Sequence, residues 1–408
     1  MALSRGTRVN LLIGTGHFMS HFYVLCLPPM FLVWQKVFDV SFAQLGLSVA
    51  LMSGTTAVLQ TPVGFLVDRH GARRFLVGGA LLMSLSIAAM GLATAFWQIL
   101  VLAVLSGVGN SVIHPADYAI LSGSVDKDRM GRSFALHTFS GNLGFSAGAP
   151  VIALLMVWIG WRGSLMLVGL VGVPIVGAIL LQSRILVDQA HEHSRHVHSG
   201  TGGAPISGRQ LLMTRPMLLF FGFFMLGACA GAGVQAWLIT VLHTVKGLDL
   251  RVASTALFAY MAGSTCGTLV GGWFADRYKT HLLSFAVVLT TFSAALILAV
   301  GVLPVPGVAA IGLVFFSGLA LGASRTPRDV MVKDAAPPGQ IGKVFGFVSA
   351  GLPLGSAVTP VPFGFLIDRG HPELVLVLVS VILLLSLLCA GSARSAARHG
   401  EAVPVAAE

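Results

Sequence analysis

Residues 62–75 read PVGFLVDRHGARRF. An apolar run ends here, an Asp and three Arg gather beside Gly64 and Gly71, and a second apolar run begins. Charge is costly inside a bilayer and cheap at its edge, so the stretch reads as a short loop between two membrane-crossing helices.

The surrounding chain agrees. Of 408 residues, 55% are hydrophobic and 10% charged, and the mean hydropathy is +0.87, too apolar for a domain that must solvate its whole surface. A helix rising about 1.5 Å per residue needs roughly 20 residues to cross a core of about 30 Å. Twelve runs of that order are present, at 10–33, 44–67, 75–95, 98–121, 133–157, 164–183, 216–243, 252–274, 282–303, 306–326, 343–367 and 373–391. The expected fold is therefore all-α, a polytopic membrane protein with twelve transmembrane helices. The expected organisation is a six-helix bundle over 1–183, a polar linker over 184–215, and a second six-helix bundle over 216–408 that ends in a short tail. The first run is longer than the core of a signal peptide and no small-residue cleavage site follows it, so it is expected to be retained. Cys26, Cys229, Cys266 and Cys389 all fall within runs and imply no disulfide framework.

The net charge of +10 does not point to nucleic acid, because its distribution follows the bilayer. Assigning alternate loops to opposite sides leaves Lys36, Arg162, Lys246, Arg251 and Arg369 on one side and the other 20 of 25 Lys and Arg, with both termini and the linker, on the other. The positive-inside bias makes that richer side cytoplasmic.

The second half repeats the first. Gly64, Asp68 and Arg69 of GFLVDR align with Gly272, Asp276 and Arg277 of GWFADR at an offset of 208, and GRSF at 131–134 aligns with GKVF at 342–345 at an offset of 211. Gly144 then meets Gly355. Parallel six-helix repeats are a hallmark of secondary transporters, with substrate bound between the halves near mid-bilayer.

Twelve spans in two repeats, a long middle loop and GFLVDRHGARR at 64–74 resemble the major facilitator superfamily; Ala72 stands where that family usually has a basic residue. More narrowly, GTGHFMSHFYVLCLPPMF at 14–31 and GNSVIHPADYAIL at 109–121 resemble the fosmidomycin-resistance type of drug-efflux transporter. That branch tends to pair a His with an acid in helix one and to carry Phe-His-Pro-Glu in helix four. Here His17 and His114-Pro115 are kept, His21 replaces the acid, Ile113 and Ala116 replace Phe and Glu, and Asp117 follows one place later. The resemblance implies a monomeric transporter working by alternating access. It also implies a conformational latch at Gly64, Asp68, Arg69, Gly71 and Arg73, repeated weakly at Asp276 and Arg277. Asp68 would reach a helix N-terminus and an arginine, Gly64 would allow close helix packing and Gly71 a tight turn. A plain positive-inside stop signal accounts for the arginines but not for an Asp and glycines at this spacing.

Ionisable residues inside spans are functional candidates by default. His17 and His21 share one face of the first helix, His114 and Asp117 lie three apart in the fourth, and His137 lies about one turn into the fifth. On the 211 offset, His114 and Asp117 correspond to Arg325 and Arg328. Asp117 and His114, with His17 and His21, are the candidates to bind and release a proton. Arg325 and Arg328 are the candidates to hold an anionic substrate group, and Gln235, Trp237 and Tyr23 to supply hydrogen bonds and aromatic surface. The competing reading of the charged residues is a structural salt bridge between Asp117 and an arginine. Gly141, Gly144, Gly148 and Pro150 in SGNLGFSAGAP resemble the glycine-and-proline signature of antiporters, and ordinary helix packing uses the same small residues.

The linker histidines His191, His193, His196 and His198 form a tract of the kind that can bind metal, but a linker lacks the second shell that fixes ligands. No metal and no cofactor is expected. The sequence has neither a P-loop nor HExxH, which argues against ATP-driven pumping and against an enzyme. The expected function is proton-coupled efflux of a small organic molecule from the cell (inner) membrane, with import of an organic anion by proton symport as the alternative.

Overall fold

The computed structural model describes residues 4–125, 130–187, 213–335, 344 and 347–398. Among them the chain is helical throughout. The helices are α1 (Arg5–Val24), α2 (Phe31–Phe38), α3 (Phe42–His70), α4 (Ala72–Met90), α5 (Phe96–Ser124), α6 (Met130–Leu181), α7 (Arg215–Lys246), α8 (Leu250–Arg277), α9 (Leu282–Val302), α10 (Gly307–Ala335), α11 (Gly351–Val358), α12 (Pro360–Asp368) and α13 (Glu373–Arg398).

Local chemistry explains where these helices start, break and stop. Ser4 caps α1 by accepting from the Thr7 amide, and Ser41 and Gln44 close a capping box on α3. The first span is broken between α1 and α2 by Pro28 and Pro29, which lack amide donors and sit in a short 3-10 turn. Gly71 separates α3 from α4 in a single residue at φ 91°, a conformation costly for any residue with a Cβ, as the loop stretch led one to expect. Gly160, at φ 68°, breaks the 52-residue α6 into two spans. The eleventh span likewise divides at Thr359 and Pro360.

Ten stretches among the described residues are long and apolar enough to cross a membrane, and one of them, Leu136–Leu181, holds the Gly160 break. Helix α8, at 28 residues, is also long enough to cross, but its Gly, Ser and Thr content lowers its hydropathy. With that break and α8, the twelve expected crossings are present. Large apolar side chains such as Leu154, Val157, Leu170, Val288, Leu298 and Leu388 face outward, as lipid contact requires and water would penalise. The chain is a multi-pass membrane protein.

Two compact units are present, Met1–Gly202 and Gly203–Glu408. Of the expected linker, residues 188–212 lie outside the described residues, and the linker histidines with them. Each unit uses the same neighbours. In the first, α3 and α4 pack on α5, and α6 packs on α1 and α4. In the second, α8 and α9 pack on α10, α11 and α13 pack on α7, and α13 packs on α9.

Lipid offers no hydrophobic reward for helix association, so small residues that let backbones touch carry the contact. The α8–α10 crossing shows this. A Cβ on Gly263, Gly267 or Gly271 would strike the carbonyl oxygens of Phe315, Leu319 or Ala323, and one on Gly318 or Gly322 would strike those of Tyr260 or Ser264. Gly312 of α10 has open space instead. Gly267→Ala is therefore expected to lower the midpoint of thermal unfolding of the detergent-purified protein, by an overpacking cost of about 1–3 kcal/mol. Gly312→Ala is expected to leave that midpoint unchanged or to raise it, since Ala favours a helix by roughly 0.5–1 kcal/mol over Gly.

Candidate functional site

In the first unit, α1, α5 and α6 bring four histidines and one carboxylate together. His17 and His21 stand one turn apart on α1, with ring centroids 4.3 Å apart. His114 of α5 lies 5.0 Å from His17 and 5.6 Å from His21. His137 of α6 stacks on His17 at 3.6 Å and 10° between planes. His17, His137 and Asp117 are 2%, 2% and 0% exposed, so this polar group lies within the bundle.

Hydrogen bonding orders the group. The His17 Nδ1 atom lies 2.7 Å from the backbone carbonyl of His137. A carbonyl only accepts, so this nitrogen carries the proton and Nε2 holds the lone pair. The Ser140 hydroxyl donates to the same His137 carbonyl at 2.7 Å. The Nε2 of His137 pairs with Asp117 Oδ2 at 3.0 Å. The buried atoms His17 Nε2, His21 Nδ1, Asp117 Oδ1 and His137 Nδ1 have no hydrogen-bond partner among the described residues. Buried polar atoms are seldom left so, which makes this cluster the candidate site.

The glycines of the fifth span make room for the cluster. A Cβ on Gly141 would come within 2.5 Å of His17 Cε1 and 2.9 Å of His21 Cε1. One on Gly144 would strike the Phe18 carbonyl, and one on Gly148 would lie 2.9 Å from Leu25 Cβ. Pro150 continues inside α6. Residues 144–148, GFSAG, match the letters of a hydrolase nucleophile motif, but they lie within a helix and the Ser146 hydroxyl donates to the Asn142 carbonyl. The sharp strand-to-helix turn that such a nucleophile needs is not there.

The other expected residues are placed as follows. Tyr23 is buried, its hydroxyl 3.1 Å from the Val168 carbonyl and 3.3 Å from Ser84 Oγ. Trp237 is fully buried and donates to the Pro360 carbonyl at 3.0 Å, tying α7 to the break between α11 and α12. Gln235 is half-buried on α7. Arg328 pairs with Asp329 at 3.0 Å and lies 3.8 Å over the Phe224 ring, while Arg325 forms no ion pair among the described residues. Asp117 pairs within its own unit with His137 rather than with an arginine. His137 is the member that sequence reasoning placed in a span without giving it a role; the available signal was a titratable residue four positions before Gly141.

At the α3–α4 loop, Arg69 is exposed and Arg73 donates to the Ser183 carbonyl at 3.3 Å. Nothing among the described residues lies within 4 Å of a Cβ built at Gly64. Gly272 is equally open, and Arg277 is exposed. The side chains of Asp68 and Asp276 lie outside the described residues.

A family model described as Major Facilitator Superfamily matches residues 13–310 and 246–407. The chain belongs to that superfamily and is a membrane transporter rather than an enzyme. It is 27% identical over 249 residues to the "Probable L-galactonate transporter" of Escherichia coli (strain K12), covering 58% of this chain and 54% of that protein. It is 23% identical over 383 residues to the "Fosmidomycin resistance protein" of the same organism, covering 92% of this chain and 90% of that protein. Its fold is similar, at a TM-score of 0.83, 13% identity and full coverage of both chains, to a bacterial homologue of the human lysosomal transporter Spinster in an inward-facing and occupied conformation.

The Asp117–His137 pair makes a stability prediction. Removing one partner of a buried pair strands the other, at a cost of about 1–3 kcal/mol. His137→Leu is expected to lower the unfolding midpoint, and the His137→Leu/Asp117→Leu double variant to lose less than the sum of the two single changes. A double-variant cycle read by thermal unfolding in detergent measures this.

Proposed function

We propose that the protein exports a small organic molecule by alternating access, exchanging it for protons through the Asp117–His137 pair and the adjoining His17, His21 and His114. The observation that carries this reading is a carboxylate at 0% exposure whose one hydrogen-bonded oxygen meets an imidazole 3.0 Å away. Such a pair holds a proton or a charge at little distance from other imidazoles, which is how intramembrane Asp and His residues serve as proton relays. Export is favoured by the likeness to the fosmidomycin resistance protein along nearly the whole chain. Arg325 and Arg328 are proposed to hold an anionic group of the substrate, with Gln235 of the same unit as a further hydrogen-bonding contact. The α3–α4 loop, with Gly64, Asp68, Arg69, Gly71 and Arg73, and its repeat at Asp276 and Arg277 are proposed as the latch between states. The reading includes a monomer in the inner membrane with both termini cytoplasmic.

A second reading is import of a small organic anion by proton symport. Arg325, which has no carboxylate partner among the described residues, and the partial likeness to the L-galactonate transporter favour it.

Susceptibility of an efflux-deficient bacterium separates the two. With this chain expressed, resistance is expected to some members of a panel of small anions that includes fosmidomycin. Asp117→Asn at matched expression is expected to abolish that resistance. Sensitisation, or no resistance to any compound, would favour import. Resistance that survives Asp117→Asn would remove Asp117 from the coupling.

A further inference from the structure

Three of the clustered imidazoles lie near enough to one another to share a metal ion. One ring nitrogen each from His17, His21 and His114 lies within 4.8 Å of the others. His17 and His21 have the i, i+4 spacing that presents two imidazoles from one helix face, and His114 reaches them from α5. A tetrahedral ion with metal–nitrogen bonds of about 2.0 Å holds its ligand nitrogens about 3.3 Å apart, so small ring rotations would close the group.

The hydrogen bonds argue the same way. A metal-bound histidine usually donates its second ring N–H to a carbonyl or carboxylate, which fixes the tautomer and aims the lone pair at the ion. His17 has that arrangement: its Nδ1 is committed to the His137 carbonyl at 2.7 Å, and its buried Nε2 has no partner among the described residues. His21 Nδ1 is buried and equally unpartnered. Behind His17, the stacked His137 pairs through its Nε2 with Asp117 Oδ2 at 3.0 Å. Gly141 keeps the space between the His17 and His21 rings free of a side chain.

We propose that His17, His21 and His114 form a tris-imidazole site for a borderline divalent transition-metal ion of the zinc class, with a fourth position open. Imidazole ligands suit Zn2+, Co2+, Ni2+ and Cu2+, and three protein ligands leave the ion able to exchange or to take an oxygen ligand from a small molecule. This goes beyond the transport reading and depends neither on the coupling ion nor on the direction of movement.

The test uses the purified full-length protein in detergent, stripped of metal and titrated with Co2+, whose visible absorption reports four-coordinate nitrogen ligation. A saturable four-coordinate signal, displaced by Zn2+, is expected from the native chain. It is also expected from a variant with His191, His193, His196 and His198 all replaced by Ser, which removes the competing linker tract. His21→Gln and His114→Gln are each expected to weaken binding by about 100-fold or more while the protein stays monodisperse. His114→Cys, which puts a thiolate in place of the imidazole, is expected to add a sulfur-to-cobalt charge-transfer band and so guards against a variant that merely misfolds. The proposal is overturned if the native chain gives no saturable signal, if the linker variant loses it, or if the Gln variants keep it and the Cys variant adds no new band. Because the titration involves no transport, its failure leaves the export reading standing, and failure of the export reading leaves it intact.

Discussion

The bilayer's intolerance of unpaired backbone groups is the constraint from which the rest follows. Every crossing must be a helix that satisfies its own amides and carbonyls, and irregular backbone is confined to places such as Gly71, Gly160 and the Pro28–Met30 turn. Once the helices exist, apolar burial gives them no reason to associate, because lipid solvates Leu as well as protein does. Close backbone approach does. This is why glycines meet carbonyls along the α8–α10 crossing, and why Gly144 meets Phe18 where α6 packs on α1.

The same small residues make room for the histidine cluster. Where α6 draws close to α1, Gly141 leaves a gap instead of a side chain, and the imidazoles of His17 and His21 fill it. His137 enters from one turn earlier on α6, and His114 and Asp117 from α5. Packing and chemistry are thus one arrangement here: the glycines that hold the bundle together set the distances between the titratable groups. A cluster with four buried polar atoms unpartnered among the described residues is expensive to keep in a bundle.

Much of this was legible before any coordinates. The twelve runs, the two-part repeat and the charged α3–α4 turn follow from the length and periodicity of apolar segments and from where the bilayer tolerates charge. His17, His21, His114 and Asp117 stood out because ionisable residues inside apolar runs are rare. Other features were not legible. His137 could be placed in a span but not on His17, since its partner lies 120 residues away along the chain. Trp237 and Tyr23 looked available for a ligand, yet their donors turn to the Pro360 and Val168 carbonyls, whose positions no local pattern encodes.

The sequence by itself determined the class of solvent this chain folds in, the number of crossings, the repeat and the identity of most polar residues inside the membrane. Those are one-dimensional properties, set by runs of composition against a slab of fixed thickness. Tertiary structure alone decided which imidazoles touch, which nitrogen of His17 keeps its lone pair, and that Asp117 meets a histidine. Those depend on crossings of α1, α5 and α6 to within an ångström, and that precision comes from the packing of side chains far apart along the chain.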